Sequence, residues 1–191
     1  LLKYGGPPIT ETIATALEYQ GPFDRDSFKK TNPYVLVITP KHWTGQVEQF
    51  LAKWRDGKLK SPYGKGFKDK YCLRGCDIHI IDFDLTNKGV GVDYQQACMN
   101  ALQKSKELIR RFDLAIVVTS EKHKQLGAND PYLIAKAVLM GAGVPVQAVE
   151  IETVNSPVEG WPFILNNLGL ASYAKLGGTP WVLASPKGQG I

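Results

Sequence analysis

Tyr132 and Lys136 stand four residues apart behind Asp130-Pro131, so that a phenol and an ammonium project from one face of a helix's opening turns. Aspartate before proline is a strong helix start, because the carboxylate accepts free amides and proline fits the first helical position without losing a hydrogen bond. Unpaired amides and the helix dipole make such an end attractive to an anion. An ammonium that neutralises phosphate and a ring that offers a base a stacking platform are what a terminal nucleotide requires. The pair alone does not decide, since exposed Tyr/Lys pairs are commonplace on helices. Two further polar groups join it. Gln147 lies early in an apolar run, Gly143-Val144-Pro145-Val146-Gln147, and Lys175 precedes Gly177-Gly178 at the end of a helical pattern. There the simpler reading is a cation complementing the dipole and a glycine C-cap.

A second concentration of cations lies at 53–74, where Lys53, Arg55, Lys58, Lys60, Lys65, Lys68, Lys70 and Arg74 face only Asp56 and Asp69, with Trp54, Tyr63, Phe67 and Tyr71 interleaved. Such a segment suits a phosphate backbone or serves as a solvated loop, and charge alone leaves both open. The whole chain of 191 residues carries +5 with 43% apolar residues, the composition of a soluble globular protein. Cys72, Cys76 and Cys98 are an odd number without a framework, which predicts free thiols; Cys72, Cys76 and His79 lack the fourth ligand of a closed zinc site. No apolar run long enough to span a bilayer and no signal-peptide pattern occurs, which predicts a cytoplasmic protein without a membrane partner.

These residues need a frame. Apolar runs at 34–39, 77–83, 114–119, 144–151 and 181–184 read as strands, and helical spacing recurs at 43–54, 94–112, 131–140 and 161–176. The long helix should bury Ala97, Ala101, Leu102, Leu108 and Ile109. The alternation predicts an α/β fold, a doubly wound, Rossmann-like and mostly parallel sheet with helices on both faces. In such sheets ligands bind beyond the carboxyl ends of the strands, which points to the loops after 39, 83, 119 and 151, the richest being the third. Residues 1–33, with a short helical stretch near Glu11, read as an appendage or linker, and 34–184 as the domain.

The order Tyr132-x-x-x-Lys136, then Gln147, then Lys175 within Ala-Lys-Leu-Gly-Gly-Thr-Pro-Trp, resembles the 5′-phosphate pocket signature of the Mid domain of prokaryotic Argonautes. The opening of the chain looks, more loosely, like that of the short type. The resemblance implies that Tyr132 stacks on the first base of a guide strand while Lys136, Gln147 and Lys175 hold its 5′-phosphate. It implies further that Ser120, Lys122, His123, Lys124 and Asn129 meet the base edge, and it extends a backbone contact to Asn167. The implied partners are a 5′-phosphorylated single-stranded guide RNA or DNA, the Piwi domain of a parent protein and a companion effector, with this module a monomer that performs no chemistry. Residues 185–191 would begin the Piwi region, which carries the family's nuclease residues. Similar proteins can use Mg2+ between guide phosphates; Ala171 stands where eukaryotic relatives carry a second lysine, which puts the details of phosphate neutralisation in question.

Two other readings stay open on the residues. A nucleotide- or cofactor-binding enzyme of Rossmann type has little support, because Gly89-Val90-Gly91 follows no strand in the required pattern, Pro186-Lys187-Gly188-Gln189-Gly190 is no P-loop, and His42, His79 and His123 are isolated. An interaction module docking through 53–74 is the other.

Overall fold

The computed structural model describes residues 2–6, 13–59 and 64–183. Lys60, Tyr63, Ala184, residues 7–12 with the expected helix start at Glu11, and the expected Piwi boundary at 185–191 lie outside the described residues. In chain order the elements are β1 (Leu2–Lys3), α1 (Ile13–Gln20), β2 (Tyr34–Pro40), α2 (Thr44–Asp56), α3 (Phe67–Lys70), β3 (Asp77–Phe83), α4 (Val90–Glu107), β4 (Leu114–Thr119), α5 (Pro131–Gly141), β5 (Val146–Glu150), α6 (Ile151–Val154), α7 (Trp161–Lys175) and β6 (Val182–Leu183).

Four strands form a parallel sheet in the order β3-β2-β4-β5. The central pair explains the continuous apolar runs, since a strand covered on both faces has no side to leave polar. Because side chains alternate across a strand, Val35 and Val37 with Leu114, Ile116 and Val118 enter one core beneath α2, α3 and α7. Leu36 and Ile38 with Ala115 and Val117 enter the other, beneath α4 and α5. The doubly wound reading holds, and β5 is left as an edge strand between helices of opposite faces.

Three local features differ from the sequence reading. Helix α4 begins at Val90 and ends at Glu107, and Leu108 and Ile109 are 53% and 95% exposed rather than buried. The helix stops because Ile109 takes a left-handed backbone (φ 52°) that turns the chain toward β4; its buried stripe is Tyr94, Ala97, Cys98 and Ala101. The last strand does not join the parallel sheet: β6 pairs antiparallel with β1, Leu2 opposite Leu183. After α7 the chain is drawn to the N-terminal segment, where the Phe23 amide donates to the Pro180 carbonyl (2.9 Å). That segment also supplies Tyr4, Ala16 and Leu17 to the core under α2 and α7.

A candidate anion-binding cluster along the edge of the sheet

Helix α5 starts as its sequence demands. The Asp130 carboxylate accepts the Tyr132 amide at 2.8 Å and buried Pro131 takes the first turn. This leaves Tyr132 half-buried against the α4–α5 core, with the Lys136 Nζ 5.6 Å from its ring centroid, a cation–π contact. Lys175 is the last residue of α7, on the opposite face of the sheet, and its Nζ donates to the Gln147 Oε1 at 2.7 Å. Gln147 is the second residue of edge strand β5, so the two lysines approach one another around that edge. Burial, and then the positive charge of Lys136, hold the Lys175 ammonium below its ordinary value.

The structure therefore joins Tyr132 with Lys136 and Gln147 with Lys175, two contacts that flank the β5 edge as one polar cluster. Among the described residues neither Lys136 nor Lys175 has an ion-pair partner. Two ammonium groups, a ring and the Gln147 amide, whose Nε2 also donates to the Ala148 carbonyl (3.0 Å), form an arrangement that suits an anion attached to a flat apolar body.

Its location differs from the expectation. The cluster does not rest on the helix N-terminus, where Asp130 already supplies the anion that the Tyr132 amide would seek. Nor does it sit beyond the carboxyl ends of the strands, because Gln147 is near the amino end of β5 and Lys175 at the carboxyl end of α7. It runs along the sheet edge, continuous with an open groove between β5 and α7 lined by Gln147, Glu150, Thr153, Asn167 and Ala171 over Ile164 and Leu168. Asn167 is thus on the same groove as Gln147 but not in the lysine cluster.

The loop after β4 is a 3-10 stretch, Glu121–Asn129, fastened to the end of β5 and to α6. The Ser120 Oγ donates to Glu152 (2.6 Å) and the Glu121 amide to the same carboxylate (3.1 Å), while Lys124 pairs with Glu150. The His123 Nδ1 accepts from the Ser120 amide (3.2 Å), and its ring lies between Trp43 and Tyr94. Burial pushes the His123 imidazole down, consistent with a neutral, accepting Nδ1. Ser120, His123 and Lys124 are thereby engaged in holding the loop, whereas Lys122 and Asn129 are exposed on it.

The basic segment turns out otherwise than its composition suggests. Trp54, Phe67 and Tyr71 are buried at 1–3% exposure, Trp54 stacked on Phe67 at 4.4 Å and Tyr71 on Tyr173 at 4.5 Å. They are core, not platforms for bases. Lys70 is buried too, donating to the Asn166 side chain (2.9 Å) and lying 3.6 Å from Glu18. Arg55 pairs with Asp56, Lys68 with Asp69, and the Lys65 Nζ donates to the Glu18 carbonyl. Cys76 and Cys98 are buried thiols, each pushed by burial up to about 12, and Cys72 is exposed. Among the described residues no three His, Cys, Asp or Glu side chains converge as metal ligands, and no helix is long and apolar enough to cross a membrane.

Sequence reasoning missed Glu150 and Glu152, which hold the loop, and Asp24, which accepts from the Tyr173 hydroxyl (2.6 Å) and the Thr179 amide (2.8 Å). Nothing local marks Asp24, since its partners are about 150 residues away.

No family model matches the chain. It is 34% identical over 188 residues to a protein argonaute of Cereibacter sphaeroides, a match covering 95% of this chain and 24% of that protein. In structure it is similar to Clostridium butyricum Argonaute bound to a guide DNA (5′ deoxycytidine) and a 19-mer target DNA, with a TM-score of 0.64 at 18% identity over 98% of this chain and 24% of the other. It is also similar to Aa-Ago with externally bound siRNA, TM-score 0.55 at 18% identity, covering 96% and 23%. The chain spans about a quarter of the length of these relatives.

Proposed function

The chain is a segment of the Argonaute family, and from that premise we propose that it is the Mid domain, which grips the phosphorylated 5′ end of a single-stranded guide. The observation that carries this reading is the placement of Lys136 against the Tyr132 ring and of Lys175 on Gln147 at the β5 edge, neither lysine having a carboxylate partner among the described residues. A 5′-phosphate placed among them gains charge-assisted hydrogen bonds. The attached base then stacks on Tyr132, whose backbone is fixed by its cap on Asp130. Exposed Lys122 and Asn129 are left to meet the base edge, on a loop held by Ser120, His123 and Lys124, and Asn167 lines the groove that a following nucleotide would enter.

Bond-breaking has no place in this assignment, and any nuclease chemistry of a parent protein would belong to its Piwi domain. A resident Mg2+ does not fit the cluster's own donors: two ammonium groups repel it, and the Gln147 amide oxygen already accepts from Lys175. Neutralisation then falls to the lysines. Titration of 5′-phosphate and 5′-hydroxyl strands, as both RNA and DNA, tests the reading. It expects clear preference for the phosphate in at least one sugar series, and equal affinity throughout would refute it.

A further inference from the structure

Lys175 can meet Gln147 and a phosphate only if the last turn of α7 is held in one rotation, because its side chain leaves the helix at the final helical residue. The inner side of that turn is Tyr173, wholly buried, and Leu176, 4% exposed. Tyr173 is wedged between Tyr71 and Phe28, at ring distances of 4.5 and 4.6 Å. Its hydroxyl donates to one oxygen of Asp24 at 2.6 Å, and the Thr179 amide donates to the other at 2.8 Å. One carboxylate therefore bridges the chain just before Lys175 and just after it. Between these anchors Gly177 adopts φ 90°, and a Cβ at Gly178 would lie 2.2 Å from the Tyr173 ring, so the turn closes tightly on that ring.

We propose that Asp24 is a positioning residue for the phosphate site, a clamp from the N-terminal segment that fixes the α7 terminus and so aims Lys175 at the 5′-phosphate. The inference rests on the assignment of the pocket given above. Its physical basis is that a site's affinity depends on the shell that fixes its ligating side chains, and a terminal helical turn frays unless its amides and carbonyls are tied. Asp24→Asn is the sharpest perturbation: the amide keeps an acceptor for the tyrosine hydroxyl but turns a donor, or loses charge, toward the Thr179 N–H.

The experiment measures binding of 5′-phosphate and 5′-hydroxyl strands to the full chain, for the unaltered protein, Asp24→Asn, Lys175→Ala and the double variant, with thermal unfolding recorded alongside. Asp24→Asn is expected to weaken phosphorylated strands on the order of tenfold while changing hydroxyl strands less than about twofold. In the Lys175→Ala background it should have no further effect on the phosphate preference, and Asp24→Glu should recover part of it. Should Asp24→Asn not fold, Tyr173→Phe, which keeps the ring and removes one bond to the clamp, carries the same comparison. Equal weakening of both strands, or a full additional loss in the Lys175→Ala background, would overturn the inference. If the unaltered chain shows no phosphate preference, the pocket assignment itself fails; if Lys175→Ala abolishes a preference that Asp24→Asn leaves intact, only the clamp does.

Discussion

The 53–74 segment and the Tyr132–Lys175 cluster are built from the same materials, cations beside aromatic rings, and end in opposite states. In the segment the described rings are core, and Arg55, Lys68 and Lys70 each have a carboxylate at hand. In the cluster Tyr132 is half-buried with Lys136 over its ring, Lys175 rests on Gln147, and among the described residues neither cation has an acidic partner. A cation without a carboxylate partner keeps its charge available to an anion, whereas a paired one does not. Density of positive charge in a sequence is therefore a poor marker of a binding site; unpaired charges brought together from distant elements are a better one.

The comparison breaks most visibly at Trp54. Trp54→Ala should destabilise the fold by about 3–5 kcal/mol, as removal of a stacked, buried ring does. A chemical-denaturation shift below about 1 kcal/mol accompanied by lost nucleic-acid binding would return that ring to the surface. Lys136→Ala and Lys175→Ala should leave the denaturation midpoint nearly unchanged and weaken 5′-phosphorylated strands by about 1.5–3 kcal/mol each, roughly 10- to 150-fold. Titration against the hydroxyl strand isolates the phosphate's share.

Lys70 distinguishes the regions by pH. Burial brings its ammonium down to about 8 despite Glu18. Between that value and the ordinary lysine value of about 10.4 the unfolded chain holds a proton that the folded chain has released, so stability rises with pH across this window and is flat below it. Urea titrations from pH 7 to 10 should show a gain on the order of 2 kcal/mol that disappears in Lys70→Met. No gain would place Lys70 in solvent. The smallest effect belongs to the exposed cations: Lys53→Glu with Lys58→Glu should change stability by no more than about 0.5 kcal/mol and leave the ratio of phosphate to hydroxyl affinity as it was. Loss of all binding in that variant, with Lys136→Ala silent, would move the interface to the basic segment.

Much of the frame is legible from periodicity. The runs at 77–83 and 114–119 are the strands Asp77–Phe83 and Leu114–Thr119, and Asp130-Pro131 starts α5 where capping chemistry says it should. The end of α4 is not, because Leu108 and Ile109 continue the apolar spacing while a left-handed residue ends the helix. Nor is the partner of the last strand, since Val182 and Leu183 look as fit for the main sheet as for β1.

By itself the sequence determined the alternation of strands and helices, the start of α5 and the candidacy of Tyr132, Lys136, Gln147 and Lys175, because propensity, capping and helical spacing act over a few residues. Only the tertiary structure decided which cations are neutralised. Glu18 reaches Lys70, Asp24 reaches Tyr173 and Lys175 reaches Gln147 on the β5 edge. Electrostatic pairing depends on distance in space, which the spacing of residues along the chain does not contain.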